Sequence, residues 1–569
     1  MVPEAIPPKR YFITSALPYI NGMKHLGNLV GSLLPADVYA RFLRAQGQEV
    51  LFICGTDEHG TPAELGALKA KQDIRTYCDT QYVAQVIAYN QFALSFDYFG
   101  RTSSSLHATL TQHFAEALDR RGFLEERTIH QLYSKTDQRF LPDRYVLGTC
   151  PHCGYEEARG DQCDKCCSTL DPQELINPYS AISGSRDLEL RETKHLFLKQ
   201  STQTEELSAW IHQASPSWPK LVSSIAQKWL TEGLRDRCIT RDLSWGVPVS
   251  QPGFEGKVFY VWFDAPIGYL SAVQEWAQGG PNRVWEDFCY EGRGTYHVQF
   301  MAKDNVAFHT ISYPATLLGS GEPWKKVDML KGLNWLNYYG DKFSTSRNYG
   351  IFLDQALETF PADYWRYALM ANAPENHDVS FTWESFATTV NKELADLLGN
   401  FLQRVGKLVD KYCGGAVPTP SLWQEPETTL MATVHQEFST YKQALTDLQF
   451  RKATQSLRSL WKMANEYFTA NEPWTLVTTD PERAATVLNV SVNLIAFFSV
   501  ISDPFIPFSA ALLRKAFNLP SQTSWDLFSP KGYDCLPPHQ ALTFPQRLFT
   551  KITGEKIARL KNQFGGNPA

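Results

Sequence analysis

The sequence carries no excess of positive charge. Lys and Arg number 54 against 60 Asp and Glu, for a net charge of −6. No global basic field therefore marks a nucleic-acid binder, although a local patch is enough for RNA. No cationic start runs into an apolar stretch, so no secretory signal is expected. Long apolar runs are scarce too. The most apolar segment, residues 487–508, carries Asn489, Asn493, Asp503 and prolines, and reads as a core helix and not a membrane span. No Gly-x4-Gly-Lys-Ser/Thr run occurs, which excludes a P-loop. Cysteine is sparse and odd in number: eleven, of which four stand in two CxxC pairs. That pattern argues for a reduced, cytoplasmic setting with a metal site, and against a disulfide scaffold. The length predicts three or four domains.

What is present begins with Tyr11 to Ala16, a β-branched and aromatic run that reads as a buried strand. Pro18 and Asn21-Gly22 break it. Leu26, Leu29, Leu33, Leu34, Val38, Phe42 and Leu43 then recur at helical spacing. A strand entering a helix through a tight loop is where open parallel sheets bind phosphates, against the helix N-terminus. His25 stands at that N-terminus as a donor, and Gly27 leaves the backbone bare beside it. Residues 49–60 repeat the arrangement, with a strand ending at Asp57, Glu58, His59 and Gly60 and a helix from Pro62 to Lys71. Two such units predict a doubly wound α/β domain with Asp57 and His59 facing its ligand crevice. His59 also reads as a helix cap.

From about residue 122 to 240 the parallel pattern is interrupted. Cys150, Cys153, Cys163 and Cys166 are spaced CxxC-x9-CxxC, four thiolates in two knuckles. That set suits a tetrahedral structural Zn²⁺ with no open position for catalysis. Cys167 is a spare thiol and His152 is expected to face solvent. The run Phe259 to Phe263, closed by Asp264-Ala265-Pro266, reads as a strand. Tyr296 to Ala302 reads as another, with Lys303 and Asp304 at its end and a helix over residues 305–318. Asp341 to Arg347 is a loop of lysine, hydroxyls and arginine that by itself reads as a solvated basic turn, and that could also close over a triphosphate. After Trp383 the periodicity is helical. Val390, Leu394, Leu397, Leu398, Phe401, Leu402, Val405 and Leu408 mark one face, and Phe450 to Phe468 another, separated by the Pro-rich 417–420. The fold class is thus an α/β Rossmann-type domain with a zinc-bearing insertion, followed by an all-α bundle.

Pro18 through His25-Leu26-Gly27-Asn28 resembles the His-x-Gly-His signature of class I aminoacyl-tRNA synthetases in their methionyl form, with Asn28 at the last place. Asp341 to Arg347 resembles the second signature, Lys-Met-Ser-Lys-Ser, with Thr345 in the second lysine's place, so that Lys342 and Arg347 would carry the charge. The zinc knuckles, the Trp262 segment and the helical bundle follow the same family order. The resemblance implies a catalytic domain in two halves, 1–121 and 241–330, around a connective insertion at 122–240. A loop and stem-contact region at 331–385 and an anticodon-binding domain at 386–569 would follow. It implies catalytic roles for His25, Asn28, Lys342 and Arg241, and ATP contacts from His25, Gly27, Asn28, Lys303, Asp304, Lys342, Ser344, Thr345 and Ser346. Methionine would be held by Ala16, Leu17, Tyr19, Asp57, Trp262, Pro266, Tyr269 and His309. Asp57 would take the ammonium, and aromatic faces suit a thioether. Tyr313 and Asn305 depart from the family's usual residues at the pocket edge.

The implied reaction is activation of methionine by ATP, with Mg²⁺, to methionyl-adenylate, followed by transfer to the 3′ end of tRNA. The 120-residue insertion is too small for a hydrolytic editing domain. Asn400, Arg404, Pro473 and Trp474 resemble the anticodon-reading positions, with Trp474 as a stacking surface. The chain ends shortly after Phe564, which favours a monomer. A class I synthetase for another amino acid remains a second reading. A third is a non-catalytic paralogue that binds RNA or methionine, motivated by Asn28 and Thr345.

Overall fold

Phe12, Ile13, Leu51, Phe52, Ile53, Val298, Phe300 and Met301 are all at most 1% exposed. Strands buried on both faces belong to a parallel sheet covered by helices, and the computed structural model has that sheet. It describes residues 10–160, 163, 165–166, 168, 170–344, 349–521, 525 and 535–565. The chain forms two compact units: Met1–Met23 with Leu51–Val86 and Phe96–Lys331, and Lys24–Val50 with Ile87–Ser95 and Gly332–Ala569.

The first unit is built on five strands, β1 (Arg10–Ser15), β2 (Glu49–Thr56), β3 (Tyr98–Arg101), β4 (Thr295–Ala302) and β5 (Met329–Leu333), in the order β5-β4-β1-β2-β3. β1 runs parallel to β4 from Arg10↔Thr295 to Ser15↔Phe300, and β2 parallel to β3 from Ile53↔Tyr98 to Thr56↔Arg101. The order reverses at β1, so the crevice outside its carboxyl end is the ligand-binding place of a doubly wound sheet. Residues 16–20, Asp57 and Lys303 leave the sheet there. The parallel bridge Tyr19↔Asp57 extends the pairing beyond the strands.

The insertion is a long antiparallel hairpin, Leu124–Ser134 against Leu188–Leu198. Between its arms the cysteine knuckles sit on a small sheet of Val146–Thr149, Ala158–Arg159 and Ile176–Ser180. Helices Thr204–Ala214 and Lys220–Glu232 follow, and Arg237–Cys238 pairs back onto Leu198 and Phe197.

One expected strand is mostly helix. Only Val258–Phe259 is extended, paired with Thr240–Arg241. Val261–Asp264, Ala265–Ile267 and Gly268–Gln278 then form one helical run. Trp262, Pro266 and Tyr269 recur at i, i+4 and i+7, a helical face, and Pro266 sits in the first turn of its segment, where its missing N–H costs nothing. The helix expected over 305–318 is present with a π-turn at Phe308–Ser312 between Lys303–Asn305 and Tyr313–Ser320.

The second unit opens with Leu26–Asn28, a π-turn Leu29–Leu33 and the helix Leu34–Ala45. A short sheet places Leu336–Tyr338 between Asp341–Lys342 and Val379–Phe381. The rest is helical. Phe450, Ala453, Leu457, Leu460, Trp461, Ala464, Tyr467 and Phe468 are buried as their spacing predicts. Pro481–Ile501 is long and apolar enough to cross a membrane, but 94% of its apolar window is buried inside the bundle, as a core helix requires.

Candidate active site

His25 caps the first helix of the second unit. The Asn28 N–H donates to its Nδ1 at 3.3 Å, and the His25 N–H donates to Asn28 Oδ1 at 3.2 Å, a reciprocal capping box. Since Nδ1 accepts, the ring proton is on Nε2. Burial pushes the imidazole down to about 3, with Lys24 adding to the shift, so the ring is neutral at physiological pH and offers one N–H. A Cβ at Gly27 would lie 3.0 Å from the His25 ring, so only glycine leaves the ring unshifted. His25 also stacks on Phe343, centroids 5.0 Å apart at 23°. Phe343 is the residue after Lys342, so the two signature segments touch within this unit. Lys342 lies on the edge strand with its Nζ 3.9 Å from the Trp335 ring centroid. Ser344 pairs with Tyr349 through two backbone hydrogen bonds of 3.0 Å. Thr345, Ser346 and Arg347 lie outside the described residues.

In the first unit, the pocket candidates cluster at the carboxyl ends of β1 and β2. Ala16, Leu17 and Tyr19 are half-buried, and Asp57, Pro266, Tyr269 and His309 are buried. Asp57 donates its backbone N–H to Pro18 O at 2.9 Å and accepts from the Ile20 N–H at 2.8 Å. Trp262 Nε1 donates to Tyr19 Oη at 3.1 Å. His309 Nδ1 donates to Asn305 O at 2.9 Å, so its Nε2 accepts from Tyr269 Oη at 3.0 Å. Burial pushes His309 down to about 4 and the Tyr269 phenol well up, which keeps both neutral. The result is an aromatic pocket floored by an uncharged Tyr–His pair.

His59 does not cap the following helix, whose N-cap is Gly60. Its Nδ1 is instead 2.6 Å from Asp264 Oδ2, both side chains buried. Glu58, fully buried, accepts from Thr56 Oγ1 at 2.7 Å and from Arg101 Nε and Nη2 at 2.8 and 3.0 Å, which anchors the turn carrying Asp57. Arg241 donates to Thr240 O at 2.8 Å and lays its guanidinium 3.6 Å from the Tyr260 ring centroid. Lys303 is half-buried and Asp304 exposed in the turn after β4.

The four knuckle cysteines converge. Cys150 Sγ is 3.7 Å from Cys166 Sγ, and Cys153 Sγ is 3.6 Å from Cys163 Sγ. All four sulfurs lie within 4.8 Å of one another. Zn–S bonds of about 2.3 Å in a tetrahedron give edges of about 3.8 Å, so the set fits Zn²⁺. Cys167 lies outside the described residues, and His152 is exposed.

The anticodon candidates gather on the bundle. Asn400 is exposed and Trp474 is 43% exposed. The Arg404 guanidinium sits 4.9 Å from the Phe468 centroid and 5.3 Å from that of Trp474, and donates to Thr469 Oγ1 at 3.0 Å. Pro473 is buried behind a left-handed Glu472, φ +42°. Arg483 holds that turn: it donates to Asn471 Oδ1 at 2.7 Å and to both oxygens of the buried Glu427 at 2.7 Å.

Several residues of these groups escape the sequence reading. Phe308 packs 4.3 Å from Trp262, and the two line a cleft with Tyr313. Phe308 is adjacent to His309, but a lone aromatic in an apolar helix carries no distinguishing signal. Phe343 has no role of its own in the sequence reading, and the Glu427–Arg483 pair joins residues far apart in the chain.

Comparison with known proteins places these features in context. Residues 11–406 match the family described as tRNA synthetases class I (M), and residues 417–569 match the anticodon binding domain of methionyl tRNA ligase. A methionine–tRNA ligase of Streptomyces avermitilis is 54% identical across 98% of this chain and 100% of its own. One from Caulobacter vibrioides is 53% identical across 98% and 99%. The solved structure of Mycobacterium tuberculosis methionyl-tRNA synthetase in complex with methionyl-adenylate aligns with a TM-score of 0.76 at 25% identity, over 95% of this chain and 99% of that one.

Proposed function

The chain belongs to the class I methionyl-tRNA synthetases and is a methionine–tRNA ligase by family, and on that premise we propose how its own side chains divide the reaction. Methionine enters with its ammonium on Asp57. Its side chain lies among Ala16, Leu17, Tyr19, Trp262, Pro266 and Tyr269, with the neutral His309 near the sulfur. An aromatic wall suits a polarizable thioether. The uncharged Tyr269–His309 pair supports this role, because a charged group there would favour water over sulfur.

The methionine carboxylate then attacks the α-phosphorus of ATP. A bond forms between carboxylate oxygen and phosphorus, and pyrophosphate leaves. His25 donates its Nε2–H to a phosphate oxygen, while Lys342 neutralises charge that builds on the leaving group. Asn28 and Gly27 hold the ring and clear its approach; Lys303, Asp304 and Ser344 contact the nucleotide, and Arg241 braces the site against Tyr260. Mg²⁺ bound with ATP would supply further charge neutralisation on the phosphates. Thr345 and Ser346 complete the loop in this reading. In the second step the terminal ribose hydroxyl of tRNA attacks the carbonyl carbon of the adenylate and AMP leaves. Asn400, Arg404 and Trp474, backed by Pro473, receive the anticodon by stacking and edge contacts. Zn²⁺ on Cys150, Cys153, Cys163 and Cys166 is structural, since four thiolates leave no coordination site for a substrate.

One observation carries the reading. The first signature's histidine stacks on Phe343 of the second, beside Lys342, in a chain whose two motifs lie more than three hundred residues apart. The test is amino-acid-dependent ATP–pyrophosphate exchange across all standard amino acids, on zinc-loaded protein. Exchange with methionine alone is expected. Exchange with none would move the assignment to a non-catalytic paralogue with Thr345 as first suspect.

A further inference from the structure

Asp57 and the aromatic pocket walls sit at opposite ends of a closed circuit of contacts. From Asp57, two backbone hydrogen bonds of 2.9 and 2.8 Å bind the residues flanking Tyr19. Tyr19 Oη accepts from Trp262 Nε1 at 3.1 Å. Trp262 and Asp264 share the single helical turn Val261–Asp264. Asp264 Oδ2 meets His59 Nδ1 at 2.6 Å, and His59 lies two residues after Asp57. Beside that last link, a Cβ at Gly60, held at φ +79°, would lie 3.3 Å from the Val261 side chain, so that side chain packs directly on the Gly60 backbone. His59 and Asp264 are both buried. They are 4% and 0% exposed, and His59 is gripped by the Trp245 edge at 5.8 Å and by His107 at 6.1 Å.

We infer that His59 and Asp264 are specificity-determining positioning residues. Their buried hydrogen bond closes the circuit that fixes the span between the ammonium anchor Asp57 and the side-chain walls Trp262, Pro266 and Tyr269. The pair therefore sets how long an amino-acid side chain the enzyme activates. A buried hydrogen bond this short has little slack, and its two ends lie on separate elements, the turn after β2 and the helical turn Val261–Asp264. One methylene of misfit in a hydrophobic pocket is worth only about 10- to 200-fold in discrimination. A small relaxation of the span would erase it. The inference rests on the methionine pocket proposed above.

The experiment measures kcat/KM in pyrophosphate exchange for methionine, for S-methylcysteine (one methylene shorter) and for ethionine (one methylene longer). It uses the zinc-loaded full chain, as wild type and as Asp264→Asn, His59→Leu and His59→Asn. In the last variant the Asn Nδ2 donor takes the place of imidazole Nδ1. Asp264→Asn and His59→Leu are expected to raise the methionine KM at least tenfold. They are also expected to cut the methionine-to-ethionine preference at least tenfold, with the ATP KM within twofold. His59→Asn should retain most of the preference, and being the mildest change it keeps the test alive if His59→Leu does not fold. A pair that merely holds the fold would lower Tm and scale all three amino acids and ATP together, and that result would overturn the inference. Unchanged preference in folded variants would overturn it as well. Wild-type protein that activates no methionine would instead remove the pocket reading beneath it, a different and recognisable failure.

Discussion

At the scale of single residues, protonation and hydrogen-bond polarity decide what a side chain can do. His25 is neutral because burial holds it near 3, and its proton is on Nε2 because Asn28 N–H occupies Nδ1. His25→Ala should slow adenylate formation by about 10²- to 10³-fold, the loss typical of one donor to a developing charge. The methionine KM should move less than threefold. Equal loss in both, by single-turnover and equilibrium measurements, would sink the phosphate role. The same protonation state makes a pH prediction. A ring already neutral above about pH 4 adds no limb near 6.5 to the kcat profile, and such a limb would contradict the assignment. Trp474→Ala belongs to this scale too. Stacking of a base on an aromatic is worth about 1–3 kcal/mol. The tRNA KM should therefore rise about 5- to 150-fold, while methionine-dependent pyrophosphate exchange is unchanged.

At the scale of elements, buried polar links hold helices in place. Asp37, on the helix Leu34–Ala45, is fully buried and accepts from Arg366 Nη2 at 2.6 Å, Arg41 Nε at 2.9 Å, and Ser95 N and Oγ at 2.6 Å. Burial opposes the charge, but the two guanidiniums win and lower the carboxyl to about 2. Asp37→Asn would leave Arg366, itself 0% exposed, partly uncompensated. Breaking a buried pair costs about 3–5 kcal/mol, so a drop of that order in chemical-denaturation stability is expected. A loss under 1 kcal/mol would show that the network relaxes around the change. The knuckles behave as another such element. Cys153→Ser and Cys163→Ser should lower zinc content measured by atomic absorption, and destabilise the insertion in which Cys150 and Cys163 pack beside Leu141 and Tyr145.

At the scale of the whole molecule, acid should act first through histidine. His107 and His297 are held well below 6.5 by burial, and His309 near 4 for the same reason. All three titrate lower folded than unfolded, so their contribution to stability is complete above about pH 6.5 and shrinks as pH falls toward 4. For His309, with its folded value about 4, the loss by pH 5 is about 2 kcal/mol at 1.36 kcal/mol per pH unit, and His107 and His297 act in the same direction. The melting temperature should therefore fall between pH 7 and 5, before carboxylates such as Asp37 begin to protonate. A flat profile over that range, with zinc content constant, would refute it.

The linear chain determined the periodic and local features. Strands β1 and β2, the bundle faces such as Phe450 to Phe468 and the CxxC pairs are legible because apolar spacing and ligand spacing are short-range. Trp262, Pro266 and Tyr269 were legible in principle as a helix, but their aromatic content mimics a strand until packing decides between the two periods. The tertiary structure decided the rest. It set which nitrogen of His25 carries the proton, that Phe343 backs that ring, and that His59 reaches Asp264, not a helix end. It also set that Arg483 steadies the turn before Trp474. Each of these depends on groups brought together from distant positions into sites where water is excluded. There a hydrogen bond or a neighbouring charge outweighs any preference a residue has along its own segment.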